Sequence, residues 1–265
     1  MKRIIKYMDK PLFFISVILF TIGLIMVFSS SNVTAYMRHA VSPYNYFIKQ
    51  GIFLLVGIVL SVIMIKFNTK VYGLLSKPLF LGVGISLAVL LFVGKSQNQA
   101  ISWYDLGPFS FQPSEFIKVI SIIWLAEYYE KNKKNLDNYW TSLFPMGVCI
   151  IVAVLIFFQP DLGTTIIYAL IVGFIFLAQP IKKSIKTKTL TVVVCGLAIV
   201  AFAILSGGKK LILERQMERL NFTNPCDRLL TTGNQVCNGY IAINNGGLFG
   251  KGLGNSTQKY LYLPE

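Results

Sequence analysis

Seven apolar runs punctuate the chain, at residues 12–30, 50–65, 79–94, 116–129, 143–158, 162–178 and 190–206. Short polar, basic or proline-containing stretches separate them. A helix needs about 20 mostly apolar residues to cross the hydrocarbon core, fewer when its polar ends reach the interface. The pattern therefore predicts an all-α integral membrane protein, a polytopic bundle with seven transmembrane helices. The fourth run is the weakest, because Glu127 and Glu130 lie at its end. No soluble domain interrupts the chain before residue 207, and neither an internal repeat nor a low-complexity tract is visible. The expected organisation is a transmembrane region over 1–206 and a large extracytoplasmic segment over 207–265. That segment opens with Leu211, Leu213, Met217 and Leu220 alternating with Lys210, Glu214, Arg215, Glu218 and Arg219. The alternation over 209–225 suits an amphipathic helix lying on a membrane surface, with a merely solvated polar face as the alternative.

Composition narrows the class. Hydrophobic residues make up 54% of the 265 residues and charged ones 14%, against about a quarter charged in soluble domains. Mean hydropathy is +0.62. Disordered chains, coiled coils, disulfide-rich mini-domains and ordinary soluble enzymes are excluded. The net charge of +14 would suggest nucleic acid in a soluble chain. Here the basic residues fall between apolar runs, where they orient a membrane protein, so no nucleic-acid partner is expected.

Four basic residues precede the first run (Lys2, Arg3, Lys6, Lys10). Alternate loops then carry Lys66, Lys70 and Lys77; Lys131, Lys133 and Lys134; and Lys182, Lys183, Lys186 and Lys188. The intervening loops hold only Arg38 and Lys49, Lys95, and none at 159–161. By the positive-inside rule the first set is cytoplasmic, as is the N-terminus, and residues 207–265 lie outside. Val33-Thr34-Ala35 resembles a signal-peptide cleavage site, but the run before it is long and six more follow, which favours an uncleaved helix. Cys149 and Cys195 sit in apolar runs as small hydrophobes. Cys226 and Cys237 share the external segment, where a disulfide is possible but two cysteines alone do not establish one.

Polar residues at a membrane face ask for a reason. In "SWYDLGPFSFQPSEFIK", residues 102–118, Pro113 stops any upstream element, Ser114 can cap and Glu115 suits the positive end of a new helix. Lys118 lies one turn inside the run and shares a face with Glu115. Such a pair is either structural or lines a polar cavity, and spacing leaves both open. Trp103 and Tyr104 fit an interfacial aromatic belt. In "QPDLG", residues 159–163, a helix cap is the favoured role for Asp161, ahead of a cation or hydroxyl site. In "AINNGGLFGKGLGNSTQKYLYLPE", residues 242–265, Gly246, Gly247, Gly250, Gly252 and Gly254 fall within nine residues. Glycine permits positive φ and close backbone approach to a ligand. Exposed N–H groups beside Lys251 and Lys259 would make an anion site. Taken alone this phosphate cradle is a weak signal, and a flexible loop is the alternative. No βαβ unit surrounds it, so it is not a dinucleotide fingerprint.

Together, "GLIMVFSSS" at 23–31, "FQPSEFIK" at 111–118, "QPDLGTT" at 159–165 and "YIAINNGGLFGKGLGNSTQKYLYLPE" at 240–265 resemble the SEDS family (shape, elongation, division and sporulation), which includes FtsW, RodA and SpoVE. The resemblance runs in order along essentially the whole chain. It implies a ten-helix fold and a peptidoglycan glycosyltransferase that polymerises lipid II, the undecaprenyl-pyrophosphate disaccharide-peptide, at the outer face of the bacterial cytoplasmic membrane. It also implies a class B penicillin-binding protein as partner. "VFSSS" and "GNSTQKYLYLPE" look more like the division branch, hence septal localisation and other divisome proteins as partners; RodA-like elongation and SpoVE-like sporulation roles are the alternatives. The substrate-binding candidates are Trp103, Gln112, Ser114, Glu115, Lys118, Asp161, Gly247, Gly250, Lys251, Gly252, Gly254, Asn255, Ser256 and Lys259. Lys251, Lys259 and the glycine backbone would meet phosphates, while Glu115, Lys118 and Asp161 would line the floor of the external cavity. A divalent cation could assist, but no clustered ligand set identifies one.

Two departures stand out. Ser102 occupies a position where the family usually has a basic residue before the tryptophan. The chain also stops at Glu265, whereas the family's "LPE" runs into a His-Thr-Asp-Phe stretch whose aspartate is the proposed base. The resemblance thus implies an incomplete external segment and a fragment inactive by itself, with the catalytic residue beyond Glu265. A lipid II flippase is the competing function. A transporter should carry charges deep in several spans, and these apolar runs are nearly free of them.

Overall fold

The computed structural model describes residues 8–39, 42–93, 102–105, 110–205, 224–228, 233–252, 255, 256 and 258. Most of the 209–225 stretch lies outside these residues, as do Gly254, Lys259 and residues 260–265, so the expectations placed there are not addressed by it.

Each apolar run falls on a helix: α1 (Lys10–His39), α2 (Asn45–Lys66), α3 (Thr69–Val93), α4 (Pro113–Lys131), α5 (Tyr139–Phe157), α6 (Leu162–Ala178) and α7 (Lys183–Leu205). An eighth helix, α8 (Asn234–Gly246), follows a short 3-10 turn at Pro225–Arg228. The helices outrun their apolar stretches. α1 continues nine residues past the run and α3 starts ten before it, because hydropathy marks the hydrocarbon layer while the hydrogen-bonded ladder continues into the interface. Local signals set several starts. Asp9 Oδ1 accepts Leu12 N at 3.0 Å, and Asn68 Oδ1 accepts Lys70 N at 3.2 Å. Asn138 Oδ1 accepts Trp140 N at 3.0 Å at the head of α5. Pro78 and Pro145 sit inside α3 and α5, each withholding one ladder donor. By length and composition, Lys10–Ser31, α2, α3 and α5 can cross a membrane, and α6 is a shorter apolar helix.

The chain divides into two compact units, Met1–Lys66 with Met217–Glu265, and Phe67–Gln216. In the first, α1 packs on α2. Phe28 stacks on Tyr44 with ring centroids 5.4 Å apart and meets Phe47 edge-on at 5.9 Å. α2 buries no residue, and Phe53, Leu55, Val59 and Ile65 stay exposed along it. A soluble surface rarely shows so large an apolar patch. Lipid covers it in a multi-pass membrane protein.

The second unit holds the core. Leu87, Ile117, Leu125, Ile156, Tyr168, Val172 and Phe176 are buried where α3, α4, α5 and α6 meet. Phe80 stacks on Trp124 at 4.5 Å. Hydrocarbon gives helices little hydrophobic reason to associate, so close packing and polar bonds matter more. Ser121 Oγ and Tyr168 Oη meet at 3.0 Å, and Tyr129 Oη donates to Ser142 O at 3.1 Å. At Gly73 the Glu127 carboxylate occupies the space a Cβ would take, so a larger residue there would make that flexible side chain shift. Glu127 is thereby accommodated at a helix contact, paired with Lys131. That explains a carboxylate at the end of the weakest run.

Candidate functional site

The first group of site residues belongs to the Phe67–Gln216 unit and is assembled by three connections. A two-stranded antiparallel ribbon, β1 (Tyr104–Asp105) with β2 (Ser110–Phe111), pairs Tyr104 with Phe111 and leads into α4. Tyr104 Oη donates to Ser86 O of α3 at 2.8 Å, which anchors the ribbon. The tip between α5 and α6 carries Gln159, fully buried, whose Nε2 donates to Leu87 O at 3.0 Å. Ser102 Oγ donates to Gln159 O at 3.4 Å. Ser102 is itself buried, so a long basic side chain there would lose this contact.

These anchors bring Gln112 and Asp161 together, 49 residues apart in sequence. Gln112 Nε2 donates to Asp161 Oδ2 at 3.4 Å. Asp161 caps α6: Oδ1 accepts Thr164 N at 3.0 Å and Oδ2 accepts Thr164 Oγ1 at 2.7 Å. The cap is thus the role the geometry gives it, with both carboxylate oxygens engaged. At α4 the cap position falls on Gln112 rather than Ser114, and no side chain caps the helix. Pro113 takes the first helical position, where its fixed φ is pre-organised and its missing N–H costs nothing. Ser114 is thereby drawn into the first turn, where its Oγ is buried without a partner. Glu115 lies in that turn, favourable to the helix dipole by about 0.3–1 kcal/mol. Its Oε1 pairs with Lys118 Nζ at 2.7 Å; the lysine side chain is 15% exposed and the glutamate 53%. The pair therefore presents a carboxylate outward and holds the ammonium in. Trp103 is half-buried in the irregular segment just before β1.

The second group lies in the other unit. A disulfide joins Cys226 to Cys237 and ties the 3-10 turn to α8. Gly233 sits so close to the Pro225 carbonyl that a Cβ would clash. α8 ends at Gly247, whose N donates to Ile243 O at 3.1 Å. Gly247, Gly250 and Gly252 take φ of +57°, +71° and +83°, a region that costs other residues about 1–2 kcal/mol each. The loop they shape borders an open cavity of about 540 Å³, lined by Gly247, Phe249, Gly250, Lys251, Gly252 and Ser256, with Met26 of α1 at its wall. Asn255 N donates back to Gly252 O at 3.5 Å. Lys251 is exposed, and Gln258 lines the cavity with its Oε1 buried and unpartnered. With the Gly247 N–H engaged by Ile243 O, the positive-φ backbone at Gly250 and Gly252 beside the Lys251 ammonium forms a concavity suited to an anion such as a phosphate. Gly254 and Lys259 lie outside the described residues.

Gln159, Met26 and Gln258 join the site without having been named by sequence, and Ser102 and Tyr104, named there as a departure and a belt aromatic, join it as anchors. A buried amide directly before a proline at a hairpin tip was the available signal for Gln159. The others depend on partners 18 or more residues away or on another helix. Among the described residues no group of three or more His, Cys, Asp or Glu side chains could hold a metal ion. Glu115 is the more open of the two site carboxylates.

Comparison with known proteins follows the same residues. The chain matches the FtsW/RodA/SpoVE cell cycle protein model over residues 10–265. It is 35% identical over 273 residues to the probable peptidoglycan glycosyltransferase FtsW of Bacillus subtilis (strain 168), covering 100% of this chain and 67% of that protein. The corresponding FtsW of Legionella pneumophila is 32% identical over 252 residues, covering 93% and 61%. Stage V sporulation protein E of Bacillus subtilis is 31% identical over 268 residues, covering 97% and 69%. The chain thus spans 61–69% of the length of these curated relatives. A chain of a solved peptidoglycan synthase complex, which coordinates polymerization and crosslinking, aligns with TM-score 0.58 at 25% identity, over 86% of this chain and 65% of that one. With the match running from residue 10 to residue 265, the chain belongs to the FtsW/RodA/SpoVE family.

Proposed function

We propose that this chain acts in a peptidoglycan glycosyltransferase that polymerises lipid II at the outer face of the cytoplasmic membrane during cell division. The observation that carries the reading is the 3.4 Å meeting of Gln112 with Asp161. Two short motifs far apart in sequence form one polar cluster, in a chain whose relatives bear the name peptidoglycan glycosyltransferase FtsW. In this reading all seven runs span the bilayer over 1–206, the N-terminus is cytoplasmic, and 207–265 is extracytoplasmic.

The reaction joins the acceptor GlcNAc 4-hydroxyl to the donor MurNAc C1. The C1–oxygen bond to pyrophosphate breaks, undecaprenyl pyrophosphate leaves, and the hydroxyl proton passes to a base. Lys251 and the backbone N–H groups at Gly250 and Gly252 meet the departing phosphates, with Ser256 and Asn255 beside them. Trp103, Gln112, Ser114, Glu115, Lys118 and Asp161 bind and orient the sugar-peptide. With Asp161 committed to its helix cap and Glu115 to Lys118, these carboxylates position rather than deprotonate. Partnership with a class B penicillin-binding protein is supported by the synthase complex to which the chain aligns. A septal location and further divisome partners follow from the division role.

The test incubates labelled lipid II with the complete protein and its transpeptidase partner and resolves the products on a gel. Glycan ladders are expected. Lipid II moved across liposomes without any ladder would replace this reading with a flippase.

A further inference from the structure

At the end of α5 remote from Asp161, an open groove of about 810 Å³ runs between α5 and α7. Its walls are Trp140, Phe144, Gly147 and Ile151 from α5, with Val192 and Val193 from α7. No atom lies within 4 Å of the Cβ position at Gly147, so the floor is open. From Trp140 to Ile151 the groove follows α5 for about 17 Å at about 1.5 Å per residue. That is close to half of a hydrocarbon core about 30 Å thick, the depth of a single leaflet.

The mouth of the groove is basic. Lys188 precedes Val192 by one turn on the same face of α7, next to Thr189, which borders the groove. Acidic residues nearby are engaged elsewhere: Asp137 with Lys182 at 3.2 Å, Glu130 with Lys133 at 4.0 Å, and Glu127 with Lys131. Lys186 donates to Leu177 O at 2.7 Å. Among the described residues, Lys183 and Lys188 have no carboxylate partner. Trp140 is 78% exposed at this level, where an indole N–H can meet a headgroup while its ring stays in the apolar layer.

We propose that this groove binds an anionic glycerophospholipid from the leaflet at the basic end of the bundle, with one acyl chain along α5 and the phosphate at Lys188. An apolar trough one leaflet deep, opening beneath the unneutralised Lys188, fits a diacyl anion. A partner's transmembrane helix would leave that lysine uncompensated. The site stands apart from the glycosyl-transfer cluster and does not depend on it.

The chain has three tryptophans, so Trp103→Phe with Trp124→Phe leaves Trp140 as the reporter. The complete protein carrying these changes is placed in phosphatidylcholine vesicles and titrated with brominated phosphatidylglycerol or brominated phosphatidylcholine. Half-maximal quenching is expected at about a tenfold lower mole fraction of the anionic lipid, with Lys188→Gln reducing that preference about fivefold and Lys183→Gln, on the opposite face of α7, reducing it much less. Gly147→Leu, or Thr189→Phe should the first variant not fold, is expected to abolish the preferential quenching by filling the groove. Equal quenching by both lipids overturns the proposal, as does a preference that survives Lys188→Gln. A Trp140 shielded from both lipids also overturns it, because protein would then occupy the groove.

Discussion

The two candidate regions are built by opposite means. In the Phe67–Gln216 unit, position comes from side chains that reach across helices: Gln159 to Leu87, Tyr104 to Ser86, Gln112 to Asp161. Around Lys251, shape comes from the backbone, with three glycines at positive φ bordering an open cavity. The first arrangement suits rigid orientation of a sugar, because moving one group strains several bonds. The second presents N–H groups that can adapt to an anion, and it leaves Phe249 fully exposed beside them. In the proposed function, positioning and charge stabilisation would fall to different structural devices.

That contrast breaks most sharply at Lys251. Replacing it with alanine should lower glycan polymerisation by the complete protein about a hundred- to a thousandfold, the equivalent of about 3–4 kcal/mol of transition-state stabilisation, while the thermal midpoint holds. Ladder formation by Lys251→Ala at the native rate would show that the loop does not serve the leaving group. Next in size is the disulfide. Cys226→Ser with Cys237→Ser releases a closure of separation 11 and should cost the α8 region about 2–3 kcal/mol. Limited proteolysis of the folded protein would then cut there first, whereas an unchanged cleavage pattern would locate the loop's stability elsewhere.

In the side-chain-built region the effects are smaller and fall on stability. Glu115→Gln leaves the largely buried Lys118 ammonium without its partner, a loss of about 1–3 kcal/mol. Adding Lys118→Met should recover most of it in thermal denaturation. Asp161→Ala should cost about 1 kcal/mol through the lost cap, and Asp161→Asn much less, since asparagine caps as well. Equal losses in these two variants would mean that charge, rather than cap geometry, holds the tip.

Much of this was legible in the residues. Each apolar run became a helix because a segment in hydrocarbon must satisfy its own backbone, and hydropathy reports that directly. Asp161 was readable as a cap because aspartate between a proline and an apolar run has a local role. Glu115 with Lys118 was readable as a pair from helical spacing alone. The α4 cap was not read correctly. Ser114 has the chemistry of a cap, but Pro113 before it takes the first helical position and moves the boundary to Gln112. Helix ends were also short by up to ten residues, since apolarity stops at the interface and the ladder does not.

Sequence by itself determined the membrane class, the seven apolar helices, the family and the chemistry available at each motif, because periodicity, apolar length and local capping are properties of neighbouring residues. Tertiary structure alone decided that Gln112 meets Asp161, that a buried Gln159 holds the α5–α6 tip against α3, that Gly73 yields space to Glu127, and that Cys226 joins Cys237. Those outcomes depend on which helix faces pack together, and no stretch of chain encodes that choice locally.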